Sequence, residues 1–287
     1  MLFRSLAEKD AELFMENINP VVLDNPISED LSVMRTSLLP NLINYFIKNS
    51  NKGLQNSGFF EVGPIYFGDK ENEQVQCSAG IRSGRASVKH WSIESREADI
   101  YDSKKDAYKA LESLGINTNS LILNTNVPKW YHPGRSASIC LGKNLLGYFG
   151  ELHPKYSENY GMRIVCFELF HNSFPASQKK KTNKKFTPYS LMPIKRDFAF
   201  LTTKSTSSEE IINAVKNSLS SVNYINLLDI NLFDIYSENL SSINQKSLAL
   251  EVVIQPNEKT LKDNEIIEIT DLIVEGVKKD TNAILRD

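Results

Sequence analysis

A run of lysine divides this chain of 287 residues into two parts. Five of the seven residues at 179–185 are lysine, between an aromatic stretch that ends at Phe174 and a new start at Phe186. A charge run this dense stays in solvent, so it predicts a linker between a domain at 1–178 and a domain at 186–287. Each part has at least about 100 residues, enough to bury its own core without disulfides or metals.

The second part shows the clearest order of secondary structure. Residue patterning predicts a strand, a helix, two strands, a helix and a strand: 197–203, 208–219, 227–236, 247–255, 263–279 and 282–286. This βαββαβ order within about 90 residues is the ferredoxin-like plan, in which two helices cover one face of an antiparallel sheet. The opposite face stays open, so it is the predicted binding surface.

The first part is typical of an antiparallel sheet with a few helices, so the predicted class of the chain is α+β and not doubly wound. Ser5 and Glu8 form a capping-box pattern that predicts a helix over 5–15. An apolar stripe predicts a buried or interface helix over 37–49, and Asp102 is the predicted N-cap of a third helix. The predicted strands are 59–67, 74–82, 136–141, 145–151 and 163–170.

Composition and motif content exclude several classes of protein. No stretch approaches the ~18 uncharged apolar residues that cross a bilayer, and 1–10 carries charges where a leader would be apolar, which predicts a cytoplasmic protein. The three cysteines, Cys77, Cys140 and Cys166, lack the CxxC spacing of zinc sites and predict reduced core thiols. A phosphate-binding glycine loop and an HExxH motif are also absent from the sequence, so no metal site is predicted.

Two groups of side chains leave two readings open. Arg35 and Arg135 fit a clamp for an anionic substrate, or salt bridges at a surface or an interface. Phe198, Phe233 and Tyr236 fit stacking platforms for bases, or core packing at strand spacing. In both groups the structural role is the more common one for such residues.

Short motifs along the chain carry the most specific signal. In the first part these are NPISEDLSVMR at 25–35, SLLP at 37–40, FEVG at 60–63, HPGRSA at 132–137 and GYFGELHP at 147–154. In the second part they are RDFA at 196–199, LFDIY at 232–236, KSLA at 246–249 and LRD at 285–287. With these motifs in this order, the chain resembles the bacterial phenylalanyl-tRNA synthetase beta subunit family across nearly its whole length.

The resemblance implies a fold and a role for each of the two parts. The first part is implied to be a class II synthetase-like module that has lost catalysis, and the second a ferredoxin-fold anticodon-binding domain, together the C-terminal portion of a longer subunit. Class II synthetases stabilise the adenylate transition state with two arginines. The comparable strand here, 61–66, has no arginine, and the sequence contains no Gly-x-Gly-x-Gly-x-x-Arg. The chain alone is therefore expected to lack catalytic activity as one subunit of an aminoacyl-tRNA ligase.

The resemblance also implies partners and cofactors. The implied partners are the catalytic alpha subunit and tRNA, and no association with a membrane is expected. ATP and Mg are expected to bind only at the alpha subunit. The predicted alpha-subunit contacts lie on the second helix: Leu38, Leu42, Tyr45 and Phe46. The predicted RNA contacts are three cations near strand ends and one aromatic ring able to stack on a base: Arg196, Tyr236, Lys246 and Arg286.

Charge limits how the second part is expected to bind RNA. Residues 186–287 hold ten Lys and Arg and fifteen Asp and Glu, a net charge of −5. Nonspecific nucleic-acid affinity scales with the phosphates that a protein neutralises, so this part is not expected to hold RNA tightly by itself. It is expected to supply one local contact within a larger tRNA footprint.

Two other functions remain open at this point. The first is a structural assembly module, or one whose ferredoxin-like part senses a small molecule such as an amino acid, without direct RNA contact. The second is a freestanding adenylate-forming enzyme, which the missing arginines argue against.

Overall fold

The computed structural model describes residues 4–16, 20–157, 161–175, 189–237 and 244–286. These residues fall into two compact units that divide near residue 183. The predicted linker, 179–185, lies outside the described residues. Within the described ranges, no helix is both long and apolar enough to cross a bilayer.

Antiparallel strands form the frame of the first unit. Its described strands are β1 (Ser5–Leu6), β2 (Val33–Met34), β3 (Ser57–Tyr66), β4 (Gln74–Ser83), β5 (Leu121–Asn124), β6 (Tyr131–Leu141), β7 (Asn144–Leu152) and β8 (Ile164–Phe170). Its described α-helices are α1 (Glu8–Glu12), α2 (Leu39–Ser50), α3 (Ile100–Ser113) and α4 (Pro154–Ser157). β1 pairs with β2, and the other six strands form one sheet in the order β3-β4-β8-β7-β6-β5.

Helices cover both faces of this six-stranded sheet. Because side chains alternate along a strand, Cys166 of β8 belongs to the core under α2, whereas Phe167 belongs to the core under α3. The predicted helix at 37–49 is confirmed as α2, with Phe46 fully buried and Pro40 in the first turn. α2 and α3 therefore define an α2 face and an α3 face of the sheet.

Two helix starts in the first unit differ from the sequence prediction. The predicted helix over 5–15 was wrong at its beginning, since Ser5 and Leu6 form β1 and the helix spans only Glu8–Glu12. Pairing with β2 holds these residues extended, which overrides the local capping signal. α3 begins after Asp99, which is the N-cap, and Asp102 accepts a hydrogen bond from the Asp99 backbone N–H as its capping-box partner.

The second unit has the predicted ferredoxin-like order. Its described elements are β9 (Ile194–Thr203), α5 (Ser208–Leu219), β10 (Ile225–Tyr236), β11 (Gln245–Pro256), α6 (Asp263–Thr281) and β12 (Ile284–Leu285). All neighbouring strands are antiparallel in the order β10-β11-β9-β12. α5 starts at a Ser207–Glu210 capping box, and α6 ends at Asn282, whose φ of 56° is left-handed.

Both helices of the second unit pack on the same face of its sheet. Phe198 and Phe200 of β9 and Leu250 of β11 share one core with Ile211 of α5 and Ile273 of α6. The side chains that alternate with these strand residues point to the other face, which carries no described helix. We call this second surface the open face.

A buried ion pair joins the segment before α2 to β3. The guanidinium of Arg35, 2% exposed, donates from Nη1 to Glu61 at 2.5 Å and from Nε to the Pro64 carbonyl at 3.0 Å. Gly63 leaves space for this group, because a Cβ there would lie 2.5 Å from Nη2 of Arg35. Of the two readings for Arg35, the structure supports the salt bridge, in the interior of the unit.

Replacing Arg35 with methionine leaves the Glu61 carboxylate without its cation in the core. We expect Arg35→Met to lower the free energy of unfolding of the first unit by about 3–5 kcal/mol, and the further change Glu61→Leu to restore much of that loss. Both tryptophans, Trp91 and Trp130, lie in the first unit, so tryptophan fluorescence during urea denaturation reports on it.

A solvent-exposed pair supplies the matched control for this experiment. Arg82 binds Asp106 at the surface, with the Arg82 side chain 47% exposed. Arg82→Met is expected to cost about 1 kcal/mol or less. An Arg35→Met variant as stable as Arg82→Met would show that the buried pair does not hold the unit together.

Candidate nucleic-acid interface and a buried acid

Strand register defines which residues occupy the open face of the second unit. Directly paired residues share a face, so Leu201, Ser247 and Tyr236 form one row across β9, β11 and β10. The next row contains Ala199, Ala249 and Asp234. Beyond it lie Asp197, Glu251 and Asn231, then Lys195, Val253 and Asp229.

Tyr236 and Arg286, two of the four predicted RNA contacts, meet on the open face. The guanidinium carbon of Arg286 lies 5.5 Å from the centre of the Tyr236 ring, within cation–π distance. The backbone N–H of Arg286 donates to the Ala199 carbonyl, which places the residue just beyond β12. Ala199 and Ala249 are small, so two long side chains reach each other above them. We call this pair the Tyr236–Arg286 patch.

The other two predicted RNA contacts lie elsewhere. Lys246 is paired with Thr202, whose buried side chain is on the helix-covered side, and its ammonium donates to the Lys204 carbonyl at 3.2 Å. Arg196 is paired with Val252 of the core. It lies five residues along β9 from Leu201, roughly 17 Å from the row of Tyr236. The structure therefore brings Lys246 to the same end of the sheet as the patch and leaves Arg196 near the other end.

Charge is unevenly distributed over the second unit. Eight of its fifteen acids lie on α5 and α6, away from the open face. The described acids of the open face include Asp197, Asp229 and Glu251, and Lys195 binds Glu251 at 3.1 Å. These three acids lie away from the row that holds Tyr236, but Asp234 lies in the adjacent row with Ala249 and Ala199, so the patch borders one acid of an acidic face.

The aromatic residues with two readings divide between core and surface. Phe198 is 4% exposed and stacks on Phe200 in the core, with ring centres 5.9 Å apart. Phe233 is 54% exposed at a bulge of β10, and Tyr236 is 36% exposed. The core reading is thus correct for Phe198, and the other two rings are available to solvent.

Three of the four residues predicted to contact an alpha subunit are inside the first unit. Leu38, Leu42 and Phe46 are at most 3% exposed and pack in the core under α2. Their apolar stripe faces the sheet of the same chain, so these three side chains are not on the surface of the unit. Tyr45, on the outer side of α2, is partly exposed.

An exposed apolar surface that the sequence analysis did not identify lies on β3. Phe60 is 80% exposed and Val62 is 59% exposed, on the face opposite Glu61. With Leu114 at the end of α3 they line a groove of about 710 Å³ beside the α3 face. We call this the β3 groove. Phe59 and Phe60 are adjacent on the strand and point to opposite faces of the sheet, and because a helix-covered core lies on each face, the sequence did not show that Phe60 is exposed.

Arg135 lies in a surface network and not in a substrate clamp. Its Nε binds Glu151 at 2.9 Å, and Glu151 also lies 3.6 Å from Arg163. The neighbouring His132 and His153 each accept a backbone N–H, from Gly134 and Lys155. Within the described ranges no group of three or more potential metal ligands was found.

A carboxylic acid is buried in the first unit at Glu168. It is 2% exposed, and it accepts hydrogen bonds from the Ser37 hydroxyl at 2.6 Å and the Tyr131 hydroxyl at 3.4 Å. The indole N–H of Trp130 approaches it without a hydrogen bond of normal geometry. Burial raises the pKa of Glu168 to about 7, although these donors oppose the shift. The sequence signal was one acid within the apolar strand 164–170.

Comparison with known proteins assigns both units to the aminoacyl-tRNA synthetases. Residues 3–170 match the family described as "Phenylalanyl tRNA synthetase beta chain CLM domain", and residues 190–286 match "Ferredoxin-fold anticodon binding domain". The chain belongs to the phenylalanyl-tRNA synthetase beta chain family.

Individual relatives agree with this assignment. The chain is 36% identical over 98% of its length to a phenylalanine–tRNA ligase beta subunit of Paramagnetospirillum magneticum, and 38% identical over 93% of its length to that of Rhodospirillum rubrum. It covers 35% and 33% of those proteins, so it spans about a third of their length. Among solved structures, a pyrrolysyl tRNA synthetase of Desulfitobacterium hafniense aligns over 59% of the chain with 15% identity and a TM-score of 0.43, too low to define a fold.

The raised pKa of Glu168 predicts a pH dependence of stability. The folded chain binds a proton at Glu168 up to about pH 7, whereas an unfolded glutamate loses it near its ordinary value of 4.5. The contribution of Glu168 to the free energy of unfolding is therefore greatest below pH 4.5, the pKa of the unfolded glutamate, and is lost as the pH rises through about 7. The expected loss between pH 5 and pH 8 is about 2–3 kcal/mol. Comparing urea denaturation of the wild type and Glu168→Gln at these pH values isolates the group, since glutamine does not titrate. A difference between the two proteins that is constant with pH would contradict the prediction.

Proposed function

We propose that the chain is the C-terminal, noncatalytic part of a phenylalanine–tRNA ligase beta subunit, working in the cytoplasm. In this proposal the first unit packs on the catalytic alpha subunit, and the second unit contacts the anticodon region of tRNA. The observation that carries the RNA role is the Tyr236–Arg286 patch, which lies within the residues that match an anticodon-binding domain.

The chemistry of the patch suits single-stranded RNA. An exposed tyrosine ring offers a stacking surface for an unpaired base, and a guanidinium beside it offers donors for a phosphate. Tyr236 and Arg286 contact each other in the free chain. A base that enters between them therefore replaces this cation–π contact with stacking on the tyrosine ring. The surrounding face is acidic, which limits this contact to a local one within a larger tRNA footprint.

The proposal of a noncatalytic chain is supported by the arrangement of arginines near β3. Arg35, which lies next to this strand, is buried in its pair with Glu61. The cavity on the α2 face has a lysine, Lys143, and no arginine among its described lining residues. A site that grips ATP through two guanidinium groups therefore has no counterpart among these residues. ATP and Mg are proposed to bind at the alpha subunit alone.

The β3 groove supports the proposal of subunit packing. Phe60 and Val62 place large apolar side chains in solvent on a strand at the edge of the sheet. Exposed apolar surface of this kind typically marks a protein interface. The groove is a better candidate contact than the buried stripe of α2, because its side chains reach a partner without unfolding the unit. Tyr45 remains a proposed contact from the outer side of α2.

A second candidate function is assembly without direct RNA contact. It is favoured by the acids of the open face, Asp197, Asp229, Asp234 and Glu251, which outnumber Lys195 and Arg286. The two functions differ in what substitutions in the patch do to tRNA affinity.

Changes in the Tyr236–Arg286 patch are expected to weaken tRNA binding by the chain in complex with an alpha subunit. Tyr236→Ala removes a base-stacking contact worth about 1–3 kcal/mol, a loss of roughly 5- to 150-fold, and Tyr236→Phe keeps most of it. Arg286→Ala is expected to weaken binding and to reduce the salt dependence by about one phosphate contact. Filter binding with tRNA at several salt concentrations measures both effects.

Lys278 supplies the control for this experiment, because it is a cation in the last turn of α6, on the other side of the sheet. Lys278→Ala is expected to leave tRNA affinity within about twofold of the wild type. Equal affinities for wild type, Tyr236→Ala and Arg286→Ala would remove the RNA role and leave the assembly function.

Polar changes in the β3 groove are expected to separate the chain from the alpha subunit. Phe60→Asp with Val62→Ser should weaken co-purification with a phenylalanyl-tRNA synthetase alpha subunit at least tenfold, because an aspartate in the interface loses its hydration. The matched control is Ile122→Ser, an equally simple loss of an exposed apolar side chain on β5. The reconstituted complex, and not the chain alone, is expected to catalyse phenylalanine-dependent exchange of pyrophosphate into ATP. Unchanged co-purification would exclude the β3 groove as the subunit contact.

A further inference from the structure

A cavity of about 920 Å³ opens on the α2 face of the first unit. Six of its sixteen lining residues are aromatic, contributed by segments far apart in sequence: Phe14, Phe67, Trp130, Tyr148, Phe170 and Phe174. Small-molecule sites are typically concave, 300–1,000 Å³ in volume and apolar, with a few polar groups that orient the ligand. The cavity has the size and the lining of such a site.

The polar group inside this cavity is Glu168. Its hydrogen-bond donors in the described residues, Ser37 and Tyr131, are both neutral hydroxyls. The cavity also contains Lys143 and Glu16, but no ion pair joins Lys143 to Glu168 among the described side chains, and Glu16 binds Lys129 at 3.1 Å. A carboxylate buried without a cation is costly, so the site has an unmet preference for positive charge.

We infer that this cavity binds a small organic cation, with a protonated amine against Glu168 and an apolar or aromatic body against the surrounding rings. The ammonium group supplies the missing counter-charge. The rings of Trp130 and Tyr148, which line the cavity, provide further attraction for the cation and for an aromatic body. A neutral ligand of the same shape gains only the apolar contact and is held more weakly.

Ionisation of Glu168 makes its binding of a cation depend on pH, because the titratable groups that face it stay neutral. They come from β4, β6, β7 and β8 and are Cys77, Tyr131, Tyr148 and Cys166, all of which have a raised pKa and are neutral near pH 7. Glu168 is the group among them that ionises near neutrality. With a pKa of about 7, its ionised fraction rises from roughly one tenth at pH 6 to nine tenths at pH 8, so affinity for an amine rises about tenfold.

A matched pair of probes tests this inference on the full chain. Phenethylamine stays protonated from pH 6 to pH 8, and 2-phenylethanol has a similar size without charge. The chain has two tryptophans, so a Trp91→Phe background leaves Trp130, in the cavity wall, as the fluorescent reporter. Titrations at pH 6 and pH 8 then give dissociation constants for both probes.

The expected result is that phenethylamine binds about tenfold more tightly at pH 8 than at pH 6, and that 2-phenylethanol binds more weakly with no pH dependence. Glu168→Gln is expected to lose at least tenfold in amine affinity at pH 8 together with the pH dependence. Glu16→Gln, a change of the other cavity carboxylate, is expected to stay within about twofold.

Three outcomes would overturn the inference: no fluorescence response to phenethylamine at millimolar concentration, equal affinity for the amine and the alcohol, or amine binding that does not change with pH. The last comparison uses the unmodified Glu168 and is decisive even if Glu168→Gln does not fold. The result is independent of tRNA and of the alpha subunit, so it stands or falls separately from the proposed function.

Discussion

The buried pair of Arg35 and Glu61 is the contact on which the first unit depends. It is surrounded by backbone hydrogen bonds in which the Arg35 N–H donates to Arg4 and the Tyr66 N–H donates to the Arg35 carbonyl. One residue therefore joins the start of the chain, the entry to α2 and the far end of β3. Breaking such a pair leaves an uncompensated charge in the core, which costs more than the intact pair contributes. The same burial removes Arg35 from any direct role in binding an anionic substrate.

The two units place their polar chemistry in different locations. In the first unit the unusual groups, Arg35, Glu61 and Glu168, lie inside, where burial makes each one dependent on a partner. In the second unit none of the described buried residues is charged, and the distinctive pair, Tyr236 and Arg286, lies on the open face. A solvated aromatic–cation pair contributes little to stability and remains available to a ligand. This contrast agrees with the proposal that the first unit packs on a partner subunit and the second contacts RNA.

Much of the fold was predictable because the decisive signals are local. α2 and α5 follow from apolar residues at three- and four-residue spacing, and α5 also has its Ser207 capping box. The errors occurred where a distant segment overrides a local signal, as at Ser5, which pairs with Met34 instead of capping a helix. The candidate sites were less predictable. The apolar face of α2 predicted a subunit interface at Leu38 and Phe46. Periodicity shows that this face is buried, but not whether it is buried against a partner subunit or against the sheet of the same chain.

The sequence by itself determined the ferredoxin-like order of the second unit, the family of the chain and the residue types at its candidate sites, because periodicity and motif order are properties of neighbouring residues. Tertiary structure alone decided which of those residues meet. Tyr236 and Arg286 are fifty positions apart in sequence. They touch because the strand order puts β10 and β12 in one sheet, and the side chains of Ala249 on β11 and Ala199 on β9, which lie between them, are small. Glu168 and Ser37 are 131 positions apart, and only the packing of α2 on the sheet makes one carboxyl group a buried acid. Contacts between distant segments depend on which strands become neighbours in the sheet, and the residue pattern of a single strand does not specify its neighbours.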